Sequence, residues 1–246
     1  MILRLVIADG SQTPAVAESV EVADDGAISG WRSVSDGGVG WFAGHLPPGE
    51  LAEVRALVGA IRAVPPPVPA PPESAEEVLE LLATGPVSIA GIADGPGDWP
   101  SLAAASRRLL DRLTDFPRAA VAAHHPAPGV ARLVHRGTDP VRVDLGDIAV
   151  GATSWRGYYE LAGDWSGEVE GPGEVEAGPG WTYDIPIGVD GPGSVDGSGS
   201  VDGSGGVDGS GSGFESDVVV HLTIDFAILS GTTRVPVRAS YTPAVG

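Results

Sequence analysis

Histidines and carboxylates are the side chains of this sequence that could act as acids, bases or metal ligands. His124 and His125 are adjacent near the end of a predicted strand, and Asp139, Asp144 and Asp147 follow them. Neighbouring residues of a strand point to opposite faces, so the two histidines would need an irregular backbone to share a metal ion. We expect a surface strand end here. A hydrolase-type enzyme that uses His124 or His125 with a nearby carboxylate is the alternative.

A second polar set lies on two later predicted strands. His221, Thr223 and Asp225 alternate along one strand, and Arg238 lies on the next. A two-residue turn at Ser230–Gly231 would place these four side chains on one face, with Asp225 and Arg238 as a diagonal ion pair. The apolar pairs predicted on the other face are Val220–Tyr241, Leu222–Ala239, Ile224–Val237 and Phe226–Val235. We expect a solvated sheet face, and a shallow hydrolase site with His221 as acid or base is the alternative.

Aromatic residues gather after residue 150. Aromatic rings can stack on a sugar or hold a peptide side chain at a low cost in conformational entropy. The predicted ligand-binding residues are Trp155, Arg156, Tyr158, Trp165, Trp181 and Tyr183. The alternative is that the aromatic members belong to the core and its rim.

Two low-complexity segments, residues 166–180 and 188–213, carry many carboxylates. The first repeats Glu-Val-Glu ahead of Gly-Pro-Gly, and the second contains Val-Asp-Gly four times at six-residue intervals. Glycine makes ordering such segments entropically costly, so we predict flexible acidic loops, with a hairpin tip as the alternative for residues 166–180. Calcium binding through their oxygens is a further alternative, although the spacing matches neither an EF-hand nor a nine-residue calcium repeat.

The charge balance restricts the partners. The chain has 33 Asp and Glu against 14 Arg, no Lys, and a net charge of −19. Phosphates reward positive charge, so we predict a protein partner and neither nucleic acid nor membrane. The apolar N-terminal run is too short for a signal peptide, and no segment approaches membrane-spanning length. A soluble, cytoplasmic protein is therefore expected.

Motifs for known chemistry are missing from the sequence. There is no cysteine, which excludes disulfides, thiolate metal sites and cysteine nucleophiles. Serine-hydrolase elbows, zincin motifs, kinase loops and dinucleotide fingerprints are also absent. We therefore predict no catalytic residue, no metal site and no cofactor.

The start of the chain predicts a hairpin and a helix. Asp24-Asp25-Gly26 is a turn signal between two alternating segments, which indicates a β-hairpin. A Gly-rich loop carrying Trp41 and Phe42 follows. Residues 47–64 then place apolar side chains at helical spacing behind a proline, which predicts a helix.

A strand–helix–strand pattern follows a Pro-rich spacer at residues 65–72. The capping box Ser74-Ala-Glu-Glu77 first predicts a short helix behind it. Residues 87–93 and 118–123 then read as strands around a helix over residues 102–113. This order predicts a βαβ unit with two parallel strands and a right-handed crossover.

Helical periodicity ends after residue 130. The strand candidates are residues 130–135, 141–145, 148–161, 182–187, 218–229 and 234–241. Six short strands separated by turn signals favour a β-sandwich or an open barrel. The predicted fold class is α+β, with an α/β region over residues 1–125. An antiparallel β-sandwich-like domain over residues 126–246 carries the Gly-rich flexible insertion.

These observations favour a non-catalytic function. With no catalytic motif, an aromatic cluster and many acidic residues, we predict an acidic binding or scaffolding protein that presents mobile acidic loops on a β domain. The hydrolase and the calcium-binding protein are the alternatives.

Overall fold

The structure, a computed structural model, describes residues 1–65, 75–81, 85–88, 95–156, 160–187 and 218–243. The strands before residue 128 are β1 (Leu3–Asp9), β2 (Val16–Val22), β3 (Ala27–Arg32), β4 (Val34–Ser35), β5 (Val39–His45), β6 (Ala75–Leu81), β7 (Gly85–Ser88) and β8 (Pro117–Ala127). The later strands are β9 (Val130–His135), β10 (Val141–Arg156), β11 (Glu160–Glu170), β12 (Glu174–Ala177), β13 (Thr182–Pro186), β14 (Val218–Ser230) and β15 (Thr233–Tyr241). The helices are α1 (Pro48–Ile61) and α2 (Trp99–Arg112), and the 3₁₀ turn Leu113–Asp115 follows α2.

The described strands form two sheets. Sheet A has nine strands in the order β13-β9-β8-β5-β3-β2-β1-β6-β7, and every neighbouring pair is antiparallel. Sheet B has the order β11-β10-β14-β15-β4, with β12 also paired to β10. Its pair β15–β4 is parallel. The fold is therefore rich in β structure, with mostly antiparallel sheets.

Two hydrophobic clusters lie against sheet A. The first joins strand residues such as Leu5 and Val20 with Val58 of α1 and Leu102 of α2. The second draws buried side chains from both sheets. It includes Val121 and Leu133 of sheet A, and Val143 and Ile224 of sheet B. Alternation along the strands thus sends side chains to a helix-covered face and to an opposite face.

The two helices are linked across their exposed surfaces. The buried residues of α1 are Val54, Val58 and Ile61, which confirms its predicted apolar stripe. Arg112 of α2 pairs with Glu50 of α1 at 3.2 Å, and Arg108 pairs with Glu53 at 3.3 Å. Both pairs are exposed, so they orient the helices more than they stabilise them.

Glycines let the end of α2 approach sheet A closely. A Cβ added at Gly30 would lie 2.6 Å from Cδ1 of Leu113, and one at Gly44 would lie 2.3 Å from the Phe116 ring. The predicted Gly-rich loop around Trp41 is therefore wrong. The segment is strand β5, and its Gly44 leaves space for the Phe116 ring that follows α2.

The predicted short helix behind Ser74 is also wrong. The described part of that segment is β6, which pairs with β1 so that Leu79 lies opposite Leu5 and Leu81 opposite Leu3. Leu79 and Leu81 are buried two positions apart, which is the strand period. Pairing with β1 thus outweighs the local capping signal.

The strand–helix–strand order is present, but its two strands do not pair. β7 and β8 run in the same direction, since each neighbouring pair between them in sheet A is antiparallel. Five strands separate them. The connection that contains α2 therefore leads from the edge strand β7 to β8 on the other side of sheet A, and the two strands do not form the adjacent parallel pair that was predicted.

The C-terminal strands agree with prediction in type and differ in extent. β10 runs without a break from the predicted strand 141–145 into the predicted strand 148–161 and ends at Arg156. Residue 161, predicted to end that strand, lies in β11, where Leu161 pairs with Trp155. β10 bulges between Asp144 and Ala149 in its pairing with β14. The bulge explains why the sequence resembles two short strands.

The predicted acidic loop 166–180 is largely strand. β11 and β12 lie end to end along β10, and Gly171-Pro172-Gly173 interrupts them opposite Leu145. A Cβ at Gly171 would lie 2.2 Å from the carbonyl oxygen of Leu145, which explains the glycine. The exposed carboxylates alternate with inward residues. They are Glu168, Glu170, Glu174 and Glu176.

The hairpin of β14 and β15 forms with a shift of two residues. Leu222 pairs with Tyr241 and Ile224 with Ala239, so the turn is Gly231–Thr232 and not Ser230–Gly231. Gly231 has φ +61°, which suits the first central position of a two-residue turn and is costly for serine. A shift of two keeps every side chain on its predicted face.

Some predictions lie outside the described residues. Apart from Pro65, the Pro-rich spacer 65–72 is among them, as are the Val-Asp-Gly repeat at 188–213 and residues 89–93 of a predicted strand. The division at residue 125 falls within β8, and sheet A uses strands from both sides of it. That division stays a prediction.

Candidate functional site

A groove lies on the face of sheet A opposite the helices. Arg4, Ser19, Glu21 and Ser29 come from alternate positions of strands whose neighbouring positions include members of the helix-side cluster. The cavity volume is about 410 Å³, within the range of small-ligand sites. We name it the Trp41 groove; it is lined by Arg4, Ser19, Glu21, Ser29, Gly30, Trp41, Phe42, Ala43 and Arg118.

Trp41 lines the groove and contacts a second tryptophan on the neighbouring strand. Trp31 and Trp41 lie opposite each other on β3 and β5, and their ring centroids are 4.6 Å apart with an interplanar angle of 53°. Trp31 is only 8% exposed and belongs to the cluster shared by the two sheets, whereas Trp41 is 46% exposed. The buried ring therefore supports an exposed one, which fixes its orientation.

A row of charged and polar side chains crosses the groove. Arg4 lies between Glu80 on β6 and Glu21 on β2, and Ser29 is opposite Glu21. Arg4 pairs with Glu80 at 3.2 Å. Among the described residues, no ion pair or hydrogen bond engages the Glu21 carboxylate.

The second arginine of the groove is already engaged. The Nε of Arg118 donates a hydrogen bond of 2.6 Å to Asp139. This bond lowers the pKa of Asp139 below its ordinary value. Both arginines of the groove thus have carboxylate partners, and Glu21 is the charged residue of its lining that has no ion-pair partner among the described residues.

Three members of the predicted aromatic cluster contact the second hydrophobic cluster. Trp165, Trp181 and Tyr183 are half-buried and pack against this cluster, which draws side chains from both sheets. Trp181 and Tyr183 are stacked, with centroids 6.3 Å apart and an interplanar angle of 7°. These three residues form part of the core and its rim.

The remaining predicted binding residues are Trp155, Arg156 and Tyr158. Trp155 is half-buried on β10 opposite Val219 of β14. Arg156 ends β10, and Tyr158 lies outside the described residues. Ligand binding by this set stays a prediction.

The hydrolase hypothesis requires His124, His125 or His221 to lie beside a carboxylate. The His124 ring is 6.0 Å from that of Tyr241, and Nδ1 of His221 is 3.4 Å from the Thr242 hydroxyl. Burial lowers the pKa of His124 and of His125, and two arginines add to the effect at His124. Within the described ranges none of the three is hydrogen-bonded to a carboxylate, so the hypothesis gains no support there.

His135 is the histidine most deeply buried. It is 3% exposed on β9, and neither ring nitrogen has a well-formed hydrogen bond within the described structure. Burial lowers its pKa, and the nearby backbone of Asp139 opposes that shift. The neutral ring is therefore favoured in the folded protein.

The polar face of sheet B is held by a direct ion pair. Asp225 and Arg238 are opposite each other, and both arms of the guanidinium donate to the carboxylate at 2.7 Å. The prediction of a diagonal pair is wrong because the register is shifted by two residues. These hydrogen bonds raise the pKa of Arg238.

Carboxylates do not gather into a metal site in the described part of the chain. No group of three or more His, Asp or Glu there could hold a metal ion. Along β11 and β12 the glutamates follow one edge of sheet B, where charge discourages pairing with another strand. The Val-Asp-Gly carboxylates lie outside the described residues, so calcium binding by them stays a hypothesis.

Sequence reasoning missed the Trp41 groove. Its signal was the alternation of Arg4, Ser19, Glu21 and Ser29 with buried apolar residues, which also fits an ordinary solvated face. The distinguishing residue is Trp41, which is apolar on that polar face.

Comparisons with known proteins give no family. The sequence matches no protein-family model, and a search of curated proteins finds no match. Neither α1 nor α2, the long helices of the described residues, has the length and apolar character needed to cross a membrane.

Proposed function

We propose that this is a non-catalytic binding protein that holds a partner protein in the Trp41 groove. The observation that carries the proposal is Trp41 itself, 46% exposed and packed on the buried Trp31. Large exposed aromatic residues with a fixed orientation are frequent anchors of protein interfaces. No reaction is needed to account for the groove.

The proposal includes the packing of the two sheets behind the groove. We take the two sheets to pack as a β-sandwich around the cluster that contains Trp31, Val39 and Leu133 of sheet A and Ile224 of sheet B. Such packing would give the Trp41 platform a rigid base, and rigid bases reduce the entropy lost on binding.

Charge favours a protein partner over nucleic acid. The net charge is −19, and the exposed glutamates of β11 and β12 add a row of negative charge on sheet B. Such a field repels phosphates and speeds association with positively charged proteins. A cytoplasmic location also belongs to this proposal.

Site-specific photocrosslinking in the native cell tests the proposal. A photoreactive amino acid replaces Ser29, which is exposed in the groove, or Ala52, which is exposed on α1. We expect a stoichiometric adduct from position 29 and not from position 52. The adduct should be lost when Trp41→Ala is added.

Two outcomes would count against the groove as the binding site. One is the same set of adducts from both positions, which would indicate random encounters. The other is an adduct at position 29 that persists in Trp41→Ala, because the exposed ring would then contribute nothing.

A further inference from the structure

The carboxylate of Glu21 is the charged group of the Trp41 groove that has no ion-pair partner among the described residues. Arg4 is held by Glu80, and Arg118 is held by Asp139. A ligand would therefore meet one negative group and two arginines whose positive charge is already balanced. In a chain of net charge −19, a cation complements this groove better than an anion.

The exposed face of Trp41 suits the same ligand. The π-face of a tryptophan attracts a cation, and a planar guanidinium can also stack on it. Trp31 lies beside Trp41 on the neighbouring strand, with the ring centroids 4.6 Å apart, and this contact restricts the Trp41 ring before a ligand binds. The ordering cost of binding is therefore small.

The distance between the strands that carry Glu21 and Trp41 allows one side chain of a ligand to lie between these two residues. Glu21 is on β2 and Trp41 is on β5, with only β3 between these strands. Glu21 is opposite Ser29 on β3 and Trp41 is opposite Trp31, so the two residues are also two positions apart along the strands. Two strand spacings and this offset together correspond to roughly 12 Å between the backbones, which leaves room for a flat guanidinium between the two side chains.

Taking the proposed function as given, we infer that the Trp41 groove binds an arginine side chain of a basic peptide segment in the partner protein. The guanidinium stacks on Trp41 and donates hydrogen bonds to Glu21. Ser19 and Ser29 supply hydroxyl acceptors on the same floor. Arginine fits better than lysine because a planar fork can contact the ring and the carboxylate together.

Binding of a fluorescent tetra-arginine peptide tests this inference. Anisotropy at about 0.15 M salt screens most long-range attraction to the acidic surface. We expect Trp41→Ala and Glu21→Gln each to weaken binding by about tenfold or more, and Trp41→Leu to behave like Trp41→Ala. A tetra-citrulline peptide, which keeps the shape and lacks the charge, should not bind.

Matched control variants distinguish binding in the groove from nonspecific attraction of the peptide to the acidic surface. Glu168→Gln makes the same charge change on exposed β11, and Leu161→Ala removes another exposed apolar side chain, 54% exposed. Both should change the affinity by less than about twofold. Equal losses in Glu168→Gln and Glu21→Gln would overturn the inference.

The inference and the proposed function can fail separately. If the position-29 adduct depends on Trp41 but arginine and citrulline peptides bind alike, the groove is a binding site and its ligand is not cationic. If the adduct does not depend on Trp41, the proposed function fails, and specific peptide binding would concern an isolated property of the groove. Specific arginine binding with a Trp41-dependent adduct supports both.

Discussion

Replacing Gly30 by alanine should strongly destabilise the fold. Gly30 lies on β3, on the helix-facing side of sheet A, opposite Val20. An added Cβ would lie 2.0 Å from the backbone oxygen of Ser19 and 2.6 Å from Cδ1 of Leu113. Leu113 could rotate away, but the oxygen belongs to the paired strand β2 and cannot move without disturbing the sheet.

The size of the effect follows from that contact. Ordinary carbon–oxygen contacts need well over 3 Å, so β2 and β3 would have to separate by about 1 Å. Overpacking of this kind costs about 1–3 kcal/mol, and more when backbone must shift. We therefore expect Gly30→Ala to lower the free energy of unfolding by about 3 kcal/mol.

A matched variant isolates the steric cause. Gly59 is exposed on α1, and a Cβ there has no atom within 4 Å. Gly59→Ala should raise stability by about 0.5–1 kcal/mol, because alanine favours the helix. Urea unfolding followed by circular dichroism measures both variants. A Gly30→Ala midpoint equal to that of the unchanged protein would refute the close approach of the Ser19 carbonyl oxygen to Gly30.

Two further predictions concern ionisable groups. Because burial lowers the pKa of His135, the unfolded chain binds the proton more readily, and stability should fall as the pH drops from about 6.5 towards the lowered pKa, by at most about 1.4 kcal/mol per pH unit. His135→Leu should flatten this dependence in urea titrations at several pH values, and an equal pH slope in the variant and in the unchanged protein would contradict the prediction. For the Asp225–Arg238 pair, which is about one-third exposed, a double-mutant cycle with Asp225→Asn and Arg238→Gln should give a coupling of about 0.5–1 kcal/mol, and a coupling near zero would show that the two hydrogen bonds do not persist in solution.

Local signals in the sequence predicted the elements that depend on local physics. The Asp24-Asp25-Gly26 turn does join β2 to β3, with Gly26 at φ +91°. α1 follows its apolar stripe, and β9 has its predicted bounds, residues 130–135. Caps, turns and periodicity act within a few residues, so they can be read without the rest of the chain.

Elements that depend on a distant partner were predicted less well. The segment behind Ser74 has a good capping box, yet its described residues pair with β1 at the other end of the region. The acidic stretch in β11 and β12 resembles a loop until β10 is placed beside it. In both cases the pairing strand supplies backbone hydrogen bonds that a local pattern cannot indicate.

The β14–β15 hairpin shows how a prediction can be correct in part. Alternation fixed which face each side chain occupies, and that face is unchanged. The turn position depended on which residue takes a positive φ. Placing Gly231 first in the turn moves Asp225 opposite Arg238, so the choice of one turn residue converts a diagonal contact into a direct ion pair.

The Trp41 groove required knowledge that no single strand contains. It is lined from β1, β2, β3, β5 and β8, and only the order of sheet A brings these strands together. β1, β2 and β3 contribute polar residues that alternate with buried ones, and β8 contributes Arg118, so each of these strands alone predicts nothing more than a solvated surface. Trp41 of β5 departs from that pattern, and its contact with Trp31 is evident only once the two strands are placed side by side. An exposed apolar residue on a polar strand face, supported by a buried aromatic residue on the neighbouring strand, is therefore the arrangement to seek in such sheets.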